Sequence, residues 1–246
     1  MRRHRTRILQ VASVAVALAA WEVVGRLGLS SALPPFHSVA ATLRHLVTDE
    51  RFLDGMVSTV LAIVIAFPLT VVAGVLLGVA MAVARPARWS LDPYLTLGLS
   101  LPLVSVIPVI ISIFGLGRPT IMAVIVVYTL PVLVLNTAAG IGGVDPEQVA
   151  MAHSFEAAWP LMLRRVMLPA ALPLVVAGIR LAAGRAVKGA IIAEQIVGLI
   201  GLGGIIQRYG GAFAVEELYA AILFIGVGGA LVVFAIGRLE RRVVVA

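Results

Sequence analysis

Four ionisable side chains lie within one long apolar segment, and their types and spacing make them the first candidates for chemistry. They are Arg180, Arg185, Lys188 and Glu194. At 100° per residue the four positions fall within one half of a helix. Charges inside an apolar helix are expensive, so these residues are candidates for a path that carries a small anion. An ion pair within the bundle, or side chains that snorkel towards the helix ends, is the structural alternative.

A second group of candidates combines prolines with small polar residues in neighbouring apolar segments. Proline leaves backbone groups without partners, and lipid cannot satisfy them, so such helices pack inside a bundle or line a wet cavity. We therefore expect these residues to line part of the same path. The candidates are Ser100, Pro102, Ser105 and Pro108 in one segment and Asn136 in the next.

Several kinds of catalytic and cofactor chemistry are absent from the sequence. The chain has no cysteine, and its four histidines are scattered at His4, His37, His45 and His153. Its one lysine, Lys188, does not follow the glycine spacing of a phosphate-binding loop, and the metalloprotease and serine-hydrolase motifs do not occur. We therefore expect no bound cofactor, no metal and no ATP hydrolysis by this chain.

The composition is that of an integral membrane protein. Of the 246 residues 61% are hydrophobic and 13% are charged, and a soluble domain rarely carries so much apolar surface. Runs long enough to cross a bilayer predict an all-α membrane protein with six spans in a single domain, residues 1–246. The expected spans are 8–25, 56–84, 93–114, 119–140, 171–197 and 218–237.

The basic residues predict how the chain is oriented. With both termini in the cytoplasm, the inner segments hold eleven basic residues and the outer loops five, which agrees with the positive-inside rule. The net charge of +7 is explained in this way, and we expect no nucleic-acid partner.

Two groups of glycines carry structural predictions. Within the second span, Gly74 and Gly78 predict close helix packing. Gly198 to Gly204 are expected to form a turn near the outer face.

The segment 145–168 lies in a cytoplasmic loop by this count. Asp145 and Pro146 are typical of a helix start, and Pro160 is typical of a second one. We expect that second helix to end at Leu168-Pro169, with Arg164 and Arg165 near its end, where cations suit the helix dipole. Exposed apolar residues in such a loop indicate either a partner protein or an amphipathic hairpin that only anchors the loop at the membrane surface.

This loop resembles the coupling loop of binding-protein-dependent ABC importer permeases. Their signature is E-A-A, three residues, G, nine residues, then I-x-L-P. Counting back from Val166–Pro169 places E-A-A at Ala150–Ala152 and the signature glycine at Glu156, whereas the visible triplet Glu156-Ala157-Ala158 has the wrong spacing. The resemblance implies ATPase contact by a set of loop residues: Ala150, Met151, Ala152, His153, Phe155, Glu156, Ala157 and Trp159, with Arg164, Arg165, Leu168 and Pro169.

Further blocks, among them "SLDPYLTLGLSLPLVSVIPVIISIFGLG" and "AEQIVGLIGLGGIIQRYGGAF", resemble the nitrate, sulfonate and taurine branch of that family. The resemblance implies a type I importer permease in the cytoplasmic membrane, working as a homodimer. It also implies two ATPase subunits that carry ATP and Mg²⁺, an external solute-binding protein, and a small anion as solute. A secondary transporter or channel without an ATPase is the main alternative, and an intramembrane enzyme is a third.

The departures from the signature have a physical consequence. If the family glycine adopts a positive φ, the glutamate at position 156 is strained. If the turn is only tight, Glu156 is free to pair with a basic residue of the partner. We expect the loop to dock in either case.

Overall fold

The computed structural model describes residues 2–28, 30–198 and 201–244, and within these ranges every regular element is a helix. The all-α expectation is therefore confirmed. Eleven α-helices occur in the described ranges: α1 Arg2–Arg26, α2 Phe36–Leu46, α3 Glu50–Val83, α4 Arg85–Ser100, α5 Leu103–Phe114, α6 Arg118–Gly142, α7 Pro146–Ser154, α8 Trp159–Met162, α9 Leu168–Val197, α10 Gly201–Gly211 and α11 Val215–Val244.

Five continuous helical stretches are long and apolar enough to cross a membrane. They correspond to the first, second, fourth, fifth and sixth expected spans: Ile8–Arg26, Glu50–Val83, Arg118–Gly142, Trp159–Val197 and Val215–Arg238.

The expected third span, 93–114, is not one straight helix. It is formed by α4 and α5, which are bent by 113° with respect to each other. Leu101 has an extended backbone (φ −70°, ψ 132°), because the ring of Pro102 disfavours a helical conformation in the residue before it. Pro102 has no N–H to continue the ladder. The prolines therefore divide this span rather than only bending it.

Helix α6 is the centre of the bundle and packs along α3 on one side and α9 on the other. The contact with α3 depends on glycine, as expected. A Cβ atom on Gly74 would lie 2.6 Å from Leu133 Cβ, and one on Gly78 would lie 2.4 Å from Thr137 Cβ. On the α9 side, a Cβ on Gly178 would lie 2.7 Å from Asn136 Cβ. Small residues thus let three long helices approach closely.

Helices α2, α10 and α11 form a second cluster with the first turns of α3. Its buried members include Val39, Phe52, Leu202 and Ile205. Helix α2 lies between the first and the second span. The expected turn over Gly198–Gly204 is only partly correct. Gly198 ends α9 in a left-handed conformation (φ +73°), residues 199–200 lie outside the described ranges, and the glycines from 201 onwards begin α10.

The first span is attached mainly near its C-terminal end. Trp21 Nε1 donates to the carbonyl oxygen of Pro34 at 3.0 Å. The carboxylate of Glu22 accepts the backbone N–H of His37 at 3.0 Å, and its other oxygen lies 2.7 Å from His37 Nδ1. The apolar window of α1 itself is unburied, so that surface is left to lipid or to another chain.

The glycine contact between α3 and α6 predicts that two glycine-to-alanine substitutions change the stability of the protein differently. Gly78→Ala forces Thr137 or the backbone to move, and we expect the free energy of unfolding to fall by about 1–3 kcal/mol. Gly228→Ala in α11 meets nothing within 4 Å, so it should be neutral or should gain up to about 1 kcal/mol from helix propensity. Thermal unfolding in detergent, followed by tryptophan fluorescence, measures both. An unchanged melting temperature for Gly78→Ala would refute the close contact.

Candidate coupling loop and translocation path

The loop 145–168 starts with a capped helix, as the sequence predicts. A side-chain oxygen of Asp145 accepts the backbone N–H of Glu147 at 2.9 Å, and Pro146 occupies the first turn of α7. The cap satisfies one of the N–H groups that a helix leaves without a partner at its start. The direction in which the chain leaves the bundle after α6 is therefore fixed locally.

Helix α7 ends in a Schellman motif whose central residue is Glu156. The N–H of Glu156 donates to His153 O at 2.9 Å, and the N–H of Ala157 donates to Ala152 O at 3.2 Å. This pattern requires a left-handed residue, usually glycine, and Glu156 has φ +52°. Of the two alternatives considered for position 156, the structure shows the positive φ, which strains a non-glycine residue, and the side chain of Glu156 is exposed.

The second half of the loop differs from the expectation in how it ends. Pro160 lies in the first turn of α8, as expected. However, α8 does not end at Leu168-Pro169, because a π-helical turn over Leu163–Met167 leads directly into α9. The wider π turn relieves the clash that Pro169 would make with the preceding turn of an α-helix. Arg164 and Arg165 therefore do not lie at a helix C-terminus, and the dipole argument for them is wrong.

The loop presents an apolar surface with basic residues beside it. Met151 is 58% exposed, Phe155 80%, Trp159 42% and Leu161 51%. Contiguous exposed apolar side chains of this size mark interaction surfaces. Of the other predicted contact residues, Ala150, His153, Arg164, Arg165 and Pro169 are exposed, Ala157 and Leu168 are half-buried, and Ala152 is buried.

The candidates of the third span gather at the break between α4 and α5. Ser100 ends α4 and donates its hydroxyl to Thr96 O at 3.0 Å. Pro102 precedes α5, and Ser105 donates its backbone N–H to Pro102 O at 3.0 Å. Ser100, Pro102, Ser105 and Pro108 are all exposed. The break thus leaves polar groups on an open surface of the chain.

The charges of α9 lie in three different environments, although the sequence places them on one half of the helix. Arg180 and Lys188 line a cavity of about 800 Å³ between α9 and α11, whose other walls are mostly Gly, Val and Ile. Arg185 lies over the ring of Tyr128 on α6, 5.2 Å from its centroid, a cation–π geometry. Glu194 is fully buried.

The environment of Glu194 involves two residues that the sequence did not pair with it. Glu194 bonds to the hydroxyl of Thr59 and the backbone N–H of Gly203, and neither residue carries a sequence signal that pairs it with a glutamate. Asn136 is half-buried and donates to Val132 O at 2.8 Å on its own helix. It also packs against Gly178, so it lies at the contact of α6 with α9.

Residues 70–245 match the sequence profile of the family described as "Binding-protein-dependent transport system inner membrane component". The chain is similar to the putative aliphatic sulfonates transport permease protein SsuC of Bacillus subtilis, with 29% identity over 93% of this chain and 83% of that protein. It is also similar to the taurine transport system permease protein TauC of Escherichia coli, with 27% identity over 95% and 88%.

A solved structure of an inward-facing MetNI methionine ABC transporter has a chain with the same fold. The TM-score is 0.67 with 21% identity, and the match covers 77% of this chain and 94% of that one. At 21% identity this similarity establishes the fold alone.

The strained turn predicts that glycine stabilises the loop. Glu156→Gly relieves a left-handed non-glycine residue but adds chain entropy to the unfolded state, so we expect a net local gain of about 0.5–1 kcal/mol. Amide hydrogen exchange at Glu156 and Ala157 should slow roughly threefold. Glu156→Ala keeps the strain and is the matched control. Equal exchange in the glycine and alanine variants would contradict the account.

Proposed function

Because the chain belongs to the binding-protein-dependent transport system inner membrane component family, the membrane permeases of ABC importers, we propose that it imports a small organic sulfonate. In this proposal an external binding protein delivers the solute, and ATPase subunits that bind the loop 145–168 drive its passage. The same membership decides against a secondary transporter, a channel or an intramembrane enzyme.

The loop geometry supports the docking of an ATPase. Phe155 precedes the left-handed residue of the Schellman motif and Trp159 begins α8, so both side chains extend from ordered backbone and reach a partner with little loss of conformational freedom. Aromatic residues in such positions are frequent centres of binding energy. Arg164 and Arg165 provide a basic edge, and the exposed carboxylate of Glu156 is available to a basic residue of the partner. ATP and Mg²⁺ belong to the ATPase in this proposal.

The sulfonate assignment has two supports. Two relatives are named for aliphatic sulfonates and for taurine, and taurine is itself a sulfonate. The cavity between α9 and α11 combines two cationic residues, Arg180 and Lys188, with apolar walls. A sulfonate group favours a cation through charge-assisted hydrogen bonds, while a short alkyl chain favours the apolar walls. Nitrate would use only the first of these features.

The proposed assembly is supported by the orientation expected from the basic residues and by the unburied helix α1. With the termini in the cytoplasm the loop faces the ATPases, and α2 and α10 face the binding protein. A second copy of this chain would cover part of the apolar surface left by α1 and complete the path around α4, α5 and α9. Closure of two ATPase subunits would move the loops, and the continuous helix from Trp159 to Val197 would transmit that movement across the membrane.

The proposed docking predicts the effect of removing one aromatic side chain. Phe155→Ala should lower the affinity for the ATPase subunit by roughly 30-fold or more. Phe213→Ala removes a side chain that is 87% exposed outside the loop, so it should have no effect. Pull-down of the tagged chain in mild detergent, with mass spectrometry of the bound proteins, measures the ATPase retained by each variant. Equal retention in both would contradict docking at this loop.

The solute assignment predicts the response of the complex isolated with its ATPase and binding protein. Taurine or a short alkanesulfonate should stimulate ATP hydrolysis in proteoliposomes, and nitrate should not. Lys188→Ala should raise the solute concentration needed for half-maximal transport about tenfold, and Lys188→Arg should largely restore it. Stimulation by nitrate alone, or by an uncharged solute, would overturn the sulfonate proposal.

A further inference from the structure

The first turn of α10 is buried at its starting end. Gly201, Leu202, Gly203, Gly204 and Ile205 are all buried. The first N–H groups of a helix have no partner within that helix. In a buried, apolar position each such group needs a partner from the protein. The position of α10 therefore depends on which side chains supply those partners.

Two side chains from two other helices supply partners for two of these groups. Thr59 Oγ1 on α3 accepts the N–H of Leu202 at 2.9 Å. Glu194 Oε2 on α9 accepts the N–H of Gly203 at 2.9 Å. The same two side-chain oxygens lie 2.9 Å from each other. These contacts form an interhelical cap that connects α3, α9 and α10 at one point.

The cap has almost no free space around it. A Cβ atom on Gly203 would lie 2.3 Å from Ile191 O, and one on Gly201 would lie 2.1 Å from the carboxyl carbon of Glu194. On α3, a Cβ on Gly55 would meet Ile205 Cδ1 at 2.5 Å. Gly201 also has φ +80°. The first turn of α10 thus leaves no room for a side chain at these three glycines.

The carboxyl of Glu194 acts here as a hydrogen-bond acceptor. No ion pair to it occurs within residues 2–28, 30–198 and 201–244, and its second oxygen, Oε1, has no hydrogen-bond partner there. Thr59 has two bonding arrangements, because its hydroxyl is also 3.0 Å from Gly55 O. An uncharged amide of the same shape would keep an acceptor for Gly203, whereas an aliphatic side chain would not.

We propose that Glu194 and Thr59 are positioning residues for transport, and that their cap fixes α10 across α3 and α9 so that the three helices move as one unit. Helix α9 continues from the loop 145–168 without a break in helical structure. A displacement at the loop therefore reaches α10 through this cap, together with the short connection from α9 and the packing of α10 against α3, α9 and α11. Without the cap, ATP hydrolysis would continue while α10 no longer followed α9.

The test measures the position of α10 directly in the full complex. The chain has no cysteine, so Asp54→Cys on α3 and Gln207→Cys on α10, both at exposed positions, take spin labels selectively. The distance distribution between the labels is recorded in proteoliposomes with and without ATP. This distance measurement needs no knowledge of the solute. A result against the proposed cap would therefore leave the sulfonate proposal untouched, and the reverse also holds.

Four substitutions separate the cap from other roles of these residues. Glu194→Leu and Thr59→Val remove the acceptors, and we expect a broader distance distribution and a roughly tenfold or greater loss of transport relative to ATP hydrolysis. Glu194→Gln and Thr59→Ser keep an acceptor and should recover both. Thr59→Val is isosteric, so it provides the test if Glu194→Leu does not fold.

Two results would overturn the proposal. One is an unchanged distance distribution in Thr59→Val together with normal coupling of transport to hydrolysis. The other is a folded Glu194→Gln variant that has the wild-type distance distribution but transports as poorly as Glu194→Leu, because the charge rather than the position of α10 would then be required.

Discussion

Backbone groups inside a bilayer have no water to bond to, and the irregular parts of this chain are arranged around that constraint. Where the helical ladder stops, a specific partner or a local change of helix type is present. The buried N–H groups that open α10 meet Thr59 and Glu194, and the π turn before Pro169 lets α8 and α9 run on as one helix. The break at Leu101-Pro102 is the exception, and it leaves polar groups on an open surface.

The same constraint explains why glycine contacts organise the bundle. Lipid is as apolar as leucine, so helices in a bilayer gain most from close backbone approach. Helix α6 reaches α3 through Gly74 and Gly78 and reaches α9 through Gly178. The central helix α6 is therefore held on both sides by close backbone contacts. The loop 145–168 follows α6 and precedes α9, so it joins the two helices that pack most extensively.

The sequence was sufficient for five of the spans and for the start of the loop. Apolar runs, Asp145 and the prolines carry local information, and counting back from Val166–Pro169 pointed to Glu156, which has a positive φ. The sequence was insufficient where the outcome depends on tertiary contacts. The charges at Arg185 and Glu194 share one half of α9, yet one meets Tyr128 and the other meets Thr59 and Gly203. The continuation past Leu168-Pro169 was missed because a π turn has no sequence signal comparable to a proline.

The central claim is that the loop 145–168 binds an ATPase, and photo-crosslinking in intact membranes tests it most directly. A photoreactive phenylalanine analogue at position 155 is compared with the same analogue at position 213. The account predicts that position 155 crosslinks to a protein with a phosphate-binding loop, and that position 213 does not. Crosslinks from position 155 to lipid alone would contradict the account and would favour a loop that only anchors at the membrane surface.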